Sequence, residues 1–128
     1  MTDQAAAPSA ALSAEDAKLV TLARATKART QAAEGAAVRD LDGRTYAAAS
    51  IALEHLRLSA LEVCVAMAVS SGSSGLEAAV VLADPTGDDI DVRAAGEFAG
   101  PGVPVLVGDA RGTIRTRLST DAPGDSAT

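Results

Sequence analysis

Aromatic side chains are nearly missing from this chain: one Tyr, one Phe and no Trp in 128 residues. Without them there are no stacking platforms for bases, which counts against single-stranded nucleic-acid binding. Cysteine is down to one residue, so neither an internal disulfide nor a Cys-x-x-Cys zinc half-site can form. Histidine is also single, at His55. The glycines at 72, 75, 87, 100 and 102 make no GxGxxG or Walker pattern, so a phosphate cradle has no support. No apolar run approaches the roughly 18 to 20 residues that cross a bilayer. The start, Met1-Thr2-Asp3-Gln4, carries no basic segment followed by an apolar one. A reducing, cytoplasmic setting without membrane contact is the expectation.

What is present suits a globular domain. Hydrophobic residues make up 48% and charged ones 22%, a balance that can bury a core in a chain of this length. With few aromatics, that core must be built from Val, Leu, Ile and much Ala. The net charge of -6 repels phosphate backbones and disfavours nucleic acid as a partner. Lys18, Arg24, Lys27 and Arg29 cluster in one segment, but at helical spacing they read as a solvated face.

Residues 1–12 are Ala-rich without a period and read as a disordered leader, and residues 119–128 as a disordered tail. A single domain is expected over 13–118. Ser13-Ala14-Glu15-Asp16 has the form of a capping box, and Leu19, Leu22, Ala23 and Thr26 share one face of a helix over 13–29. Gly35-Ala36-Ala37-Val38 and Arg44-Thr45-Tyr46 flank Asp42-Gly43, a hairpin signal in which Asp42 and Gly43 serve turn geometry. From Ser59 to Ser71 the sequence is apolar almost all round, with Ser59 and Glu62 as a second capping box and Gly72 as the stop. Strands follow at 76–83, 103–107 and 113–118, the last at an edge, with a helix over 88–98 between the first two. The order predicts a three-layer α/β/α sandwich around a mixed five-stranded sheet.

This order, with Gly35-Ala36-Ala37-Val38, Asp42-Gly43-Arg44-Thr45-Tyr46, Ala68-Val69-Ser70-Ser71-Gly72 and Val103-Pro104-Val105-Leu106-Val107, resembles the small homo-oligomeric cytidine deaminases from about Leu22 to Leu118. The resemblance implies a zinc ion held by a Cys or His and a Pro-Cys-x-x-Cys pair, with a Glu two residues after the first ligand moving protons. Counting back from Gly72, the ligand position holds Ser59 and the Glu position Leu61; the Pro-Cys-x-x-Cys stretch falls on Gly87-Asp88-Asp89-Ile90-Asp91. The ribose-holding Asn-x-Glu falls on Ser50-Ile51-Ala52, with Glu54 as an alternative register. The family's Tyr-x-Pro-Tyr-Ser has no counterpart near Gln31-Ala32-Ala33. Zinc and other cofactors are therefore not expected, and no residue is assigned a catalytic role.

Three readings compete. The leading one is a deaminase relative without catalysis, kept as a binding or assembly module and forming a dimer or tetramer, since the 59–71 helix is more apolar than a small monomer requires. A protein partner is compatible with it. The second is a divergent nucleoside deaminase or hydrolase using Asp88 and Asp91, with Glu54 or His55. Asp88 and Asp91 have the spacing of the lost Cys pair, and with Ser59 they would suit Mg²⁺ or Mn²⁺. The simpler reading of both acids is a helix start, and of Ser59 a cap. The third is a nucleoside sensor with a cavity but no chemistry. Cys64, mid-helix on an apolar face, reads as a packed small hydrophobe.

Overall fold

The computed structural model describes residues 12–84 and 90–121. Its elements run α1 (Ala14–Thr30), β1 (Glu34–Asp40), β2 (Thr45–Ala49), β3 (Ile51–Ala52), β4 (Arg57–Leu58), α2 (Ala60–Ser70), β5 (Leu76–Ala83), α3 (Arg93–Ala99), β6 (Pro104–Gly108) and β7 (Ile114–Ser119). Five strands form one mixed sheet in the order β2-β1-β5-β6-β7. Only β5 and β6 run parallel, and the crossover between them carries α3. The α/β architecture with helices on both faces is the expected one.

Strand alternation divides the core into two layers. Ala36 and Val38 of β1 and Ala79 and Val81 of β5 join Leu61, Cys64, Val65 and Ala68 of α2 on one side. Ala37, Ala78, Val80 and Leu82 turn to the other side and meet Leu19 and Ala23 of α1. β5 is thus buried on both faces along nearly its whole length. Alanine is what lets helices lie so close. At Gly35 an added Cβ would sit 2.7 Å from the Cβ of Lys27, so α1 rides directly on the β1 backbone.

The local signals formed as read at both long helices. Ser13 caps α1, its Oγ accepting from the Asp16 N–H at 3.0 Å. Leu19, Ala23 and Thr26 are buried, whereas Leu22 stays partly exposed. In the β1–β2 hairpin the positive φ falls on Gly43. Gly72 takes positive φ where α2 stops. Of the basic cluster, Lys18, Arg24 and Arg29 are exposed, while Lys27 pairs with Asp84 at 3.1 Å.

Three expectations are corrected. The helix placed over 88–98 begins only at Arg93, with Val92 as its N-cap and no acid in its first turn. Ile90 and Val92, both half-buried, pack on the core ahead of the helix instead of forming part of it, and Asp88 and Asp89 lie outside the described residues. Between β2 and α2 the chain forms an additional two-stranded ribbon, β3–β4, which no alternation signal announced. Two residues placed in the tail belong to the fold: Ser119 closes β7, and Thr120 is buried, donating its hydroxyl to the Gly100 carbonyl at 2.7 Å. Residues 1–11 of the leader and 122–128 of the tail lie outside the described residues.

Replacing Gly35 by Ala is expected to cost about 1–3 kcal/mol through overpacking between α1 and β1. Urea denaturation checks this: the midpoint should fall with the slope unchanged.

Candidate functional site

The start of α2 is where the sequence places a vestigial site, and capping chemistry occupies it. Ser59 Oγ accepts from the Glu62 N–H at 3.1 Å, and Glu62 Oε1 accepts from the Ser59 N–H at 2.8 Å. A second carboxylate arrives from the start of β1, where Glu34 Oε1 accepts from the Ala60 N–H at 3.0 Å. The N–H groups of Ser59, Ala60 and Glu62, which could otherwise help to hold an anion, are therefore taken by the chain's own side chains. Glu34 was not foreseen. Its role depends on β1 starting beside α2, which no local pattern encodes.

Leu61, the second residue of α2, is buried in the layer that holds Val38, Cys64 and Val81. It offers neither a proton nor a lone pair. Cys64 is buried three residues on, and burial pushes its thiol up to about 12, far from a reactive thiolate.

Asp91 stands before α3 and is bound to its neighbour. Its Oδ1 accepts from the Arg93 N–H at 2.9 Å, and its Oδ2 from Arg93 Nη2 at 2.7 Å. The Arg93 side chain, then its backbone N–H, hold the Asp91 carboxyl down at about 2. With the Asp91 side chain 42% exposed, this pair adds little to stability. Asp88 lies outside the described residues. Glu54 and His55 form the tip of the β3–β4 ribbon, 87% and 90% exposed and 3.9 Å apart. They are thus held out in solvent, and neither takes part in the hydrogen bonds at the α2 start. Among the described residues no three of His, Cys, Asp and Glu are grouped to hold a metal ion.

The two buried carboxylates lie at the sheet's outer hairpins instead. Asp40 ends β1, and its Oδ1 accepts from the N–H groups of Asp42 and Arg44, both at 2.9 Å, while Oδ2 accepts from the Tyr46 hydroxyl at 2.9 Å. Burial raises its pKa, but the Arg44 N–H, the Tyr46 hydroxyl and the Asp42 N–H outweigh it and hold the carboxyl below its ordinary 3.8. The same bond, followed by burial, raises Tyr46. Asp109 follows β6 and repeats the device: Oδ1 accepts from the Arg111 and Thr113 N–H groups at 3.0 and 3.1 Å, and Oδ2 from Arg115 Nη2 at 2.8 Å. The Thr113 N–H dominates, and with Arg115 and Arg111 it keeps this carboxyl low against burial. Asp40-Leu41-Asp42-Gly43-Arg44 and Asp109-Ala110-Arg111-Gly112-Thr113 share an Asp-x-x-Gly-x pattern, with positive φ at each Gly. That repeat was the available signal for these residues.

A model of the family described as cytidine deaminase-like matches residues 12–112. The chain belongs to the cytidine deaminase-like family. Among solved structures it is similar to a cytidine deaminase from Burkholderia pseudomallei, with a TM-score of 0.69 at 20% identity over 85% of this chain and 93% of that one. It is also similar to a cytidine deaminase from Mycobacterium leprae, with a TM-score of 0.64 at 16% identity over 84% of this chain and 95% of that one. At such identities the likeness speaks for the fold. No curated protein matches. Against the zinc that the fold suggests, the donors do not fit: one Cys and one His exist in the whole chain, the first buried and the second at the ribbon tip.

Asp40 and Asp109 tie stability to pH. Both folded values lie below the unfolded 3.8, so both acids stabilise the fold above that pH. The contribution drains away as pH falls through the lower folded values. Asp40→Asn and Asp109→Asn should each lower stability near neutrality and flatten its dependence between about pH 2 and pH 5, as read by denaturant titration at each pH.

Proposed function

We propose that this cytidine deaminase-like protein lacks zinc-dependent deamination and serves as a binding or assembly module. One observation carries the reading: Ser59 spends its hydroxyl on a helix cap, and Leu61 fills the core where a proton-shuttling carboxylate would stand. A bound metal needs several deprotonated donors, and water activation needs a nearby acid–base group. An alkyl side chain and a committed neutral hydroxyl supply neither. The alternative reading, a deaminase or hydrolase built on Asp88 and Asp91, is weakened because Asp91 is neutralised by Arg93. A module of this kind works through partners, and a second copy of the chain is the simplest. No helix among the described residues is long and apolar enough to cross a membrane.

Two measurements test the proposal. Metal analysis of the purified protein should give no stoichiometric zinc, and cytidine and deoxycytidine should release no ammonia above background; bound zinc with turnover overturns the reading. Independently, Leu61→Glu should destabilise the fold by about 3 kcal/mol or more, because an ionised carboxylate would be buried among aliphatic groups. A variant as stable as the parent in urea would mean that this position opens onto solvent.

A further inference from the structure

β7 ends the sheet, and charge along it has one sign only. The stretch 110–120 carries Arg111, Arg115 and Arg117 and no acid, in a chain whose net charge is -6. These three arginines and Thr116 are exposed. Arg115 pairs with Asp109, but Arg111 and Arg117 make no ion pair among the described residues. A Cβ built on Gly112 would lie 3.5 Å from Arg24 Cδ, which puts a further exposed cation beside the turn into β7. α1 packs chiefly across β1, β2 and β5, and leaves Arg117 exposed on the same face of the sheet.

The backbone of β7 is unused on its outer side. Among the described residues it pairs only with β6, antiparallel, with Leu118 opposite Val105, Arg117 opposite Leu106 and Thr116 opposite Val107. The Thr120 N–H donates to the Val103 carbonyl at 3.0 Å, which sets the phase of the ladder. Counting back by two, Leu118 and Thr116 point their N–H and C=O groups at β6, while Ser119 and Arg117 point theirs away. Pro104, which has no N–H to give, stands opposite Ser119 in agreement. Side chains divide along the same strand. Arg117 lies on the α1 side with Leu106, whereas Thr116 and half-buried Leu118 lie on the α2 side with Val107. Cations on an edge strand keep like edges apart, so Arg117 disfavours pairing of two β7 strands. An extended segment with carboxylates on one face and apolar groups on the other meets no such barrier. Its backbone would pair with Arg117 and Ser119, its acids would face Arg117, and its apolar side would continue the surface of Leu118. A nucleic acid would satisfy the arginines but leave those backbone groups unpaired.

We infer that β7 docks an extended acidic segment of another protein, one that alternates Asp or Glu with apolar residues and adds to the sheet as a sixth strand. In strand addition of this kind the main chain supplies affinity and the alternate side chains supply specificity. The inference rests on the binding half of the proposed function, to which it gives a class of partner, and is independent of whether zinc is bound.

The test uses the full chain and a fluorescein-labelled peptide, Gly-Glu-Val-Glu-Thr-Glu-Val-Glu-Gly. Anisotropy should give a dissociation constant in the micromolar range that weakens as salt is raised. Arg117→Glu should raise this constant at least about 30-fold, and a peptide with Lys in place of Glu should not bind. Ser119→Pro, which keeps the charge and removes one outward N–H, should raise it about 10-fold while circular dichroism stays native. Hydrogen exchange at the Arg117 and Ser119 amides should slow when the peptide binds, a change that attraction between charges alone does not produce. The inference is overturned by a peptide that fails to bind at about 1 mM, by binding that leaves both amides exchanging as before, or by an oligouridylate that binds more tightly than the peptide. None of these results bears on zinc, which metal analysis and ammonia release decide separately.

Discussion

Burial of β5 on both faces is the constraint from which the other features follow. A strand covered twice leaves little room for polar side chains: only Glu77, near its start, is exposed, and Val80, Val81 and Leu82 supply apolar groups to alternate layers. Its partner β1 must do the same with less room, because α1 lies against it at Gly35. The run Gly35-Ala36-Ala37 is therefore small for a packing reason: each added methylene would push a helix off the sheet. A core with few aromatics stays dense only because helices approach that closely.

Two helices then meet the sheet at fixed places, and the chemistry at their starts is set by what the ends need. At α2 the needs are those of any buried helix terminus, and Ser59, Glu62 and Glu34 meet them with hydrogen bonds. A catalytic metal site would require the same region to keep a cavity, several charged donors and a free acid. The two demands compete for the same few atoms. In this member of the cytidine deaminase-like family the cap and the core hold Ser59 and Leu61.

The buried carboxylates sit at the two outer hairpins of the sheet. The carboxylates of Asp40 and Asp109 each tie down a hairpin turn with two backbone N–H bonds and a side-chain donor. Both are shielded from water, so satisfying every lone pair matters more than net charge. The ion pair of Arg39 with Asp16 at 3.0 Å and Glu77 at 2.7 Å adds a link between α1 and the sheet.

Local sequence was enough wherever neighbouring residues settle the geometry. Ser13 and Ser59 cap their helices because a cap reaches only three residues along the chain. The Asp42-Gly43 hairpin, the stop at Gly72 and the strand at Val80-Val81-Leu82 needed no distant partner, and with the family resemblance they made the sandwich legible. The β3–β4 ribbon was not legible, since each strand has only two ladder residues and too short a run to show a period. Nor was the late start of α3, because the packing of Ile90 and Val92 on the core ahead of it is a tertiary contact. Glu34 at the α2 terminus depends on β1 and α2 being neighbours, a contact between residues 26 positions apart. The absence of three Cys or His ligands is a property of composition, fixed before folding. Where the remaining side chains point is decided by packing, because only the folded chain determines which of them water can reach.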